Sequence, residues 1–177
     1  MAKLKIDLVE VDVARFIDAI DSYFLWKELD SKIRTSSTRG VNFPESISEA
    51  VCCYAMDYRL NKGSSGDAVD TNHDNEVIEI KATSNWDKDI TSFSPNEEFD
   101  NLLFVRLDKR NDVIYIYNLN MNHEELGKIK VNQNQTLKDQ QLTKRRPRFS
   151  IIKQLIEEQD LKPIKKVLLR TKEIEDC

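Results

Sequence analysis

Two runs, LLFVRL (residues 102–107) and VIYIYNL (113–119), constrain the fold of this chain more than anything else in it. Both are rich in β-branched and aromatic side chains, and they flank the polar pentapeptide DKRND, so they read as strands of a β-hairpin. Helical patterns lie on either side. Residues 11–29 carry Val13, Phe16, Ile17, Ile20, Phe24 and Leu25 at helical spacing, which predicts one buried stripe. FPESISEAVCCYAMDYRLN (43–61) predicts a second helix with Ile47, Val51, Ala55 and Tyr58 on one face, ended by NKGSSGD. DAVD and EVIEIKA read as two short strands joined by the turn TNHDN. HEELGKIKV reads as a helical turn and one more strand, and FSIIKQLIEEQ as a last helix. Helices, then strands, then helix predict a single α/β domain over residues 1–177, with a mixed central β-sheet flanked by α-helices.

Composition excludes some classes. Hydrophobic residues make up 40% and charged residues 33%, a globular balance. No apolar run reaches the length of a membrane span. The opening residues MAKLKIDLVEVDVARF carry acids throughout and do not read as a secretory signal. The three cysteines are then expected to be reduced thiols in a cytoplasm, without metal-ligand spacing. His73 and His123 sit in polar segments and form no metal pattern, and no G-x-x-x-x-G-K-[ST] run is present, so no nucleotide cofactor is expected.

Net charge is −4, but it is segregated: residues 128–172 hold 13 Lys or Arg against 4 Asp or Glu. A basic third can face a polyanion even in an acidic protein; it also fits a solvated surface.

The stretch EIKATS (79–84) carries the chemistry. In VIEIKA the side chains of Ile78 and Ile80 point one way, and those of Glu79 and Lys81 the other. Upstream, Asp67 opens a strand expected to pair with this one, which brings two carboxylates beside an ammonium group. Hard anionic oxygens of that kind suit Mg²⁺, which acidifies an attacking water and polarises a phosphate, while a lysine holds the water or neutralises developing charge. A charged pair on a solvated face has the same pattern, and E-x-K alone does not decide between them.

Asp67 followed by Glu79-Ile80-Lys81 resembles the PD-(D/E)xK nuclease motif, with Gly66 in place of the proline. SGDAVD, IEIKATSNWDKDITSFSPNEEFDNLLFVRLD and DQQLTKRRPRFSI together resemble a group of small type II restriction endonucleases acting at GCNGC, over residues 44–152. The resemblance implies a restriction-endonuclease-like core, Mg²⁺-dependent cleavage of double-stranded DNA, and a homodimer on a palindrome. Asp67 and Glu79 match the metal-binding acids and Lys81 the catalytic lysine. Asp70 competes with Asp67; three residues on in a strand it faces the other way, and Asp67 is preferred because it directly follows the glycine turn. Glu49 matches the glutamate that many members place on the preceding helix, although Ser46-Ile47-Ser48-Glu49 also reads as a capping box.

For DNA contact, Gln140, Gln141, Lys144, Arg145, Arg146 and Arg148 in QQLTKRRPRFS are the first candidates, since arginine suits guanine and glutamine suits adenine. Ser84 and Asn85 are candidates for phosphates or bases, or are turn residues. Tyr23, Phe24, Trp26 and Phe43 either form a dimer interface or cover the sheet. Two other readings stay open: a repair or branched-DNA nuclease of the same core, and a DNA-binding module without catalysis.

Overall fold

The structure, a computed structural model, describes residues 6–96 and 98–177. The start of the stretch read for a secretory signal, residues 1–5, lies outside the described residues. In chain order the elements are β1 (Leu8–Val9), α1 (Val13–Arg34), α2 (Glu45–Met56), β2 (Arg59–Asn61), β3 (Ala68–Asp70), β4 (Glu76–Thr83), β5 (Thr91–Ser92) and β6 (Asn101–Asp108). There follow β7 (Val113–Asn118), α3 (His123–Gly127), α4 (Leu137–Leu142), β8 (Arg148–Phe149), α5 (Ile152–Glu157), β9 (Lys165–Leu168) and β10 (Glu173–Asp176). The turns of α5 are of the wide π type, a form that recurs beside functional sites.

Among the described residues an eight-stranded sheet runs β1-β2-β3-β4-β6-β7-β9-β10. It is mixed: β4 and β6 are parallel, and every other pair is antiparallel. The chain is α/β, with a mixed central sheet flanked by helices. A parallel pair needs a crossover of a dozen or more residues. Here residues 84–100 provide it, with the short strand β5 instead of a helix, and β5 pairs with β8 as a separate ribbon. That crossover links β4 to the basic loop.

Each face of the sheet has its own core. Beneath α1 and α2 lie Ile78, Ile80, Leu103, Val105, Leu107, Ile114 and Ile116. Phe93, Leu102, Phe104, Leu126, Leu137, Phe149, Ile152 and Leu155 fill the other side. The strand β6 is covered on both faces, which explains why LLFVRL is almost continuously apolar.

Several expected boundaries shift. On α1 the buried positions are Phe16, Ala19, Ile20, Tyr23, Trp26 and Asp30, while Val13 and Leu25 are 57% and 69% exposed. The stripe is rotated because Trp26 donates from its ring nitrogen to Val41 O and Asn42 O, and Tyr23 to Asp112, which seats that face inward. Tyr23 and Trp26 are therefore core, with Phe24 and Phe43 packed against them. The second helix ends at Met56, not Asn61, because Asp57 turns into the left-handed region (φ 57°) and the chain enters β2. The last helix is six residues, shorter than expected, and only an isolated bridge, Lys130 to Thr136, stands where a strand after Gly127 was expected. No described helix is long and apolar enough to cross a membrane.

Candidate active site

The strand β4 lies inside the sheet, between β3 and β6. Ile78 and Ile80 enter the core beneath α1 and α2, as the alternation requires. The opposite face is not a solvated edge: Glu79 is only 5% exposed. Lys81 donates to Glu79 Oε1 and stands 5.5 Å from the centre of the Phe93 ring. Burying a carboxylate beside a half-buried ammonium costs several kcal/mol unless partners compensate, so this pair is weak evidence for stability.

Asp67 reaches the same place from the neighbouring strand. Its N–H donates to Ile78 O at 2.9 Å, continuing the β3–β4 ladder. Its Oδ2 then accepts from Ile80 N at 2.7 Å, two residues further along β4. The carboxylate thus stands in for a ladder acceptor beyond the end of β3, and that bond aims it. Asp67 and Glu79 line one cavity of about 550 Å³. Asp70 is used elsewhere. It accepts from Asn72 N and His73 N and pairs with His73, closing the β3–β4 turn.

Gly66 has φ 64°, and a Cβ there would stand 2.5 Å from Val77 Cγ1 and 2.9 Å from Ile78 O. Proline, fixed near about −65°, cannot take that conformation. The glycine in the proline position of the motif is thereby a requirement of this loop.

Glu49 does not cap a helix. Pro44 occupies the N-cap position, α2 begins at Glu45, and no side chain caps it. Glu49 lies instead one turn inside α2, half-buried, where burial first and the Asp67 charge second push its carboxyl up to about 7. The Lys81 charge pulls the other way. Glu49 therefore lies within electrostatic reach of Asp67 and Lys81, although neither Glu49 nor Lys81 is among the residues that line the cavity. Among the described residues no three or more His, Cys, Asp or Glu are gathered tightly enough to hold a metal ion by themselves. Two carboxylates on a polar cavity wall with room for water nonetheless fit Mg²⁺, which binds through one or two carboxylates and keeps several waters.

The family model described as "Bsp6I restriction endonuclease" matches residues 11–158. The chain belongs to the Bsp6I restriction endonuclease family. It is 55% identical, over 168 residues, to the type II restriction enzyme Bsp6I of Bacillus sp. (strain RFL6), covering 95% of this chain and 96% of that one. No solved structure matches it. Family membership makes the chain a type II restriction endonuclease, a site-specific deoxyribonuclease, and displaces the readings as a repair nuclease or a binding module without catalysis. Type II restriction enzymes in general use divalent metal ions.

Around this endonuclease's central acids, the structure sorts the remaining candidates. Arg146 lines the cavity with Asp67 and Glu79. Lys144, Arg145 and Arg148 are exposed on the same loop. Gln141 donates to Ser94 O at 2.8 Å, and Gln140 bonds to Gln135. Ser84 and Asn85 are not brought to the cavity; with Trp86, Asp87, Lys88 and Arg110 they line a separate hollow.

Residues that sequence reading missed also appear. Glu98, Ser94, Asn96 and the Gly63–Gly66 loop line the cavity. The buried Asp89 accepts from Thr91 Oγ1, Ser150 Oγ, Ile151 N and Ile152 N, and so caps the start of α5 from 62 and 63 residues away. A carboxylate followed by short polar residues was the only local sign of it, and nothing local indicates a cap at that distance.

Proposed function

We propose that the cavity beside β3 and β4 is the centre at which this endonuclease hydrolyses a DNA phosphodiester with Mg²⁺, Asp67 and Glu79 holding the ion and Lys81 acting at the phosphate. The observation that carries this reading is the burial of Glu79 on a central strand while it shares a cavity wall with Asp67. A buried carboxylate facing a cavity is a costly arrangement for packing and a useful one for binding a cation. Bound there, Mg²⁺ supplies charge neutralisation at the phosphate and acidifies the attacking water.

The chain's own groups do the rest. Ile80 N–H fixes the aim of Asp67. Lys81, paired to Glu79, supplies positive charge where the phosphate oxygens gain negative charge, and holds the water in line. Glu49 completes the acidic set: burial first and the Asp67 charge second oppose its ionisation, and a cation held beside Asp67 would lessen the second. The water oxygen bonds to phosphorus as the P–O3′ bond breaks. The departing 3′ oxygen takes up a proton, leaving a 3′-hydroxyl and a 5′-phosphate.

The substrate in this reading is double-stranded DNA at a short palindrome, GCNGC by the resemblance. One centre per chain cuts one strand, so a two-fold homodimer places a centre at each scissile phosphate. Digestion of a sequenced plasmid with Mg²⁺, followed by sequencing of the fragment ends, tests the reaction. Discrete fragments with 5′-phosphate ends at GCNGC are expected; no discrete cutting with any divalent metal contradicts it. Sedimentation on a cognate duplex is expected to give two chains per duplex.

A further inference from the structure

The basic loop is not uniform. Lys144, Arg145, Arg146 and Arg148 fall within five residues, yet among the described residues that line the cavity Arg146 is the only Lys or Arg. It shares that wall with three carboxylates, Asp67, Glu79 and Glu98, and it makes no ion pair among the described residues. Its position is built, not accidental. On one side of it Gln141 Nε2 donates to Ser94 O at 2.8 Å. On the other, Phe93 N donates to Pro147 O at 3.1 Å, and Arg148–Phe149 pair with Thr91–Ser92. Phe93 and Phe149 stack beneath, with centres 5.5 Å apart. The segment that pins the loop, residues 91–94, follows β4 in the chain and contributes Ser94 to the cavity. Between those anchors Lys144 takes φ 57° and reverses the chain, and Arg145 N is held by Gln140 O at 3.1 Å.

We infer that Arg146 grips the scissile phosphate itself, while Lys144, Arg145 and Arg148 serve the flanking backbone or the bases. This rests on the reading of Asp67 and Glu79 as the reaction centre. A phosphodiester entering a cavity walled by carboxylates meets repulsion, and Lys81, paired to Glu79, is not among the residues that line that wall. A guanidinium on the same wall presents two parallel N–H donors to two phosphate oxygens, and it keeps its charge at every working pH. Arg146 is exposed, so its truncation leaves the fold standing.

The test is a cycle between residue and phosphate. Binding is measured with Ca²⁺ in place of Mg²⁺, on a natural cognate duplex and on one with a neutral methylphosphonate at the scissile position. Single-turnover cleavage of the natural duplex is measured at saturating enzyme. Arg146→Ala should weaken binding about tenfold on the natural duplex and not on the methylphosphonate duplex, and lower the cleavage rate on the order of 10²-fold. Arg146→Lys should recover part of that rate. Arg145→Ala should weaken binding equally on both duplexes. Equal weakening on both duplexes by Arg146→Ala, or an unchanged rate at saturation, overturns the inference. Asp67→Asn run alongside separates the two levels. If it cuts near the wild-type rate, the reaction centre itself is misplaced; if it is dead while Arg146→Ala cuts normally, only the role of Arg146 falls.

Discussion

Two clusters of buried charge in this endonuclease behave in opposite ways. At the β6–β7 turn, the fully buried Asp112 side chain accepts from Tyr23 Oη at 2.6 Å and from Lys27, and pairs with Arg170 at 2.5 Å. Burial pushes its pKa up, but the bonds from Lys27 and Tyr23 and the charges of Lys27 and Arg170 outweigh that and hold it below the usual carboxylate range. These partners tie α1 and the β9–β10 turn to the central hairpin. At the end of β3, burial and the Asp67 charge push Glu49 up to about 7. The first cluster is a carboxylate whose charge is completed by its neighbours, with Oδ1 bonded by Tyr23 and Lys27 and Oδ2, which takes no hydrogen bond, paired to Arg170. The second is a set of carboxylates held against one another beside an open cavity. Completed charge stabilises the fold; opposed charge costs stability and is what a cation is expected to relieve.

The largest effect expected from breaking this contrast is at Glu79. Glu79→Gln should lower cleavage at saturating DNA by about 10³-fold or more while the unfolding midpoint is kept or raised, read by single-turnover assay and thermal melting. Simple truncation of Lys81 is a less clean variant than alternation alone implies, because it leaves the buried Glu79 without that partner.

Asp112→Asn should do the reverse: a loss of about 2–4 kcal/mol in chemical unfolding, with unchanged cleavage chemistry where the protein is folded. Asparagine tolerates the left-handed backbone at this position (φ 55°), so the loss is that of the charge and of one acceptor oxygen, without backbone strain. The folded pKa of Asp112 is depressed, so its contribution is present above the unfolded carboxylate value. The gap between variant and wild type should therefore close as pH falls through the folded value.

Smaller, and opposite in sign, is the effect at Glu49. Its folded pKa is raised from 4.5 to about 7, so the folded state keeps a proton that the unfolded chain has released, and stability falls as pH rises across that window. Glu49 is half-buried, and solvent screening limits the cost to about 1–2 kcal/mol. Glu49→Gln should stabilise the metal-free protein by that amount at pH 8 and by nothing at pH 4, measured by urea unfolding. The smallest effect expected is at Arg145: if it touches one phosphate, Arg145→Ala should reduce the slope of log affinity against log salt by about 0.9.

The completed cluster and the opposed one are unequally legible in the sequence. The hairpins β3–β4 and β6–β7 follow from local alternation and polar turns; alternation puts Asp67 and Asp70 on opposite faces, and the glycine turn before Asp67 favours it without deciding between them. Glu49 is less clear, because Ser46 and Glu49 match a capping pattern and only the structure shows Pro44 starting the helix two residues earlier. The Asp112 network joins residues 85 and 89 positions apart, and Asp89 caps a helix more than 60 residues away. Such contacts leave no periodic trace. Arg146 could be placed in a basic loop but not in the cavity, because β5 and β8, two residues each, are too short to show alternation.

The central claim is that the Asp67–Glu79 cavity is kept for reaction and not for stability. Asp67→Asn tests it most directly, with unfolding, binding to a cognate duplex, and cleavage in Mg²⁺ all measured on one preparation. The predicted result is a protein at least as stable as the wild type that binds the duplex and does not cut it. Cutting at near the wild-type rate, or activity lost only in proportion to unfolding, would contradict the claim.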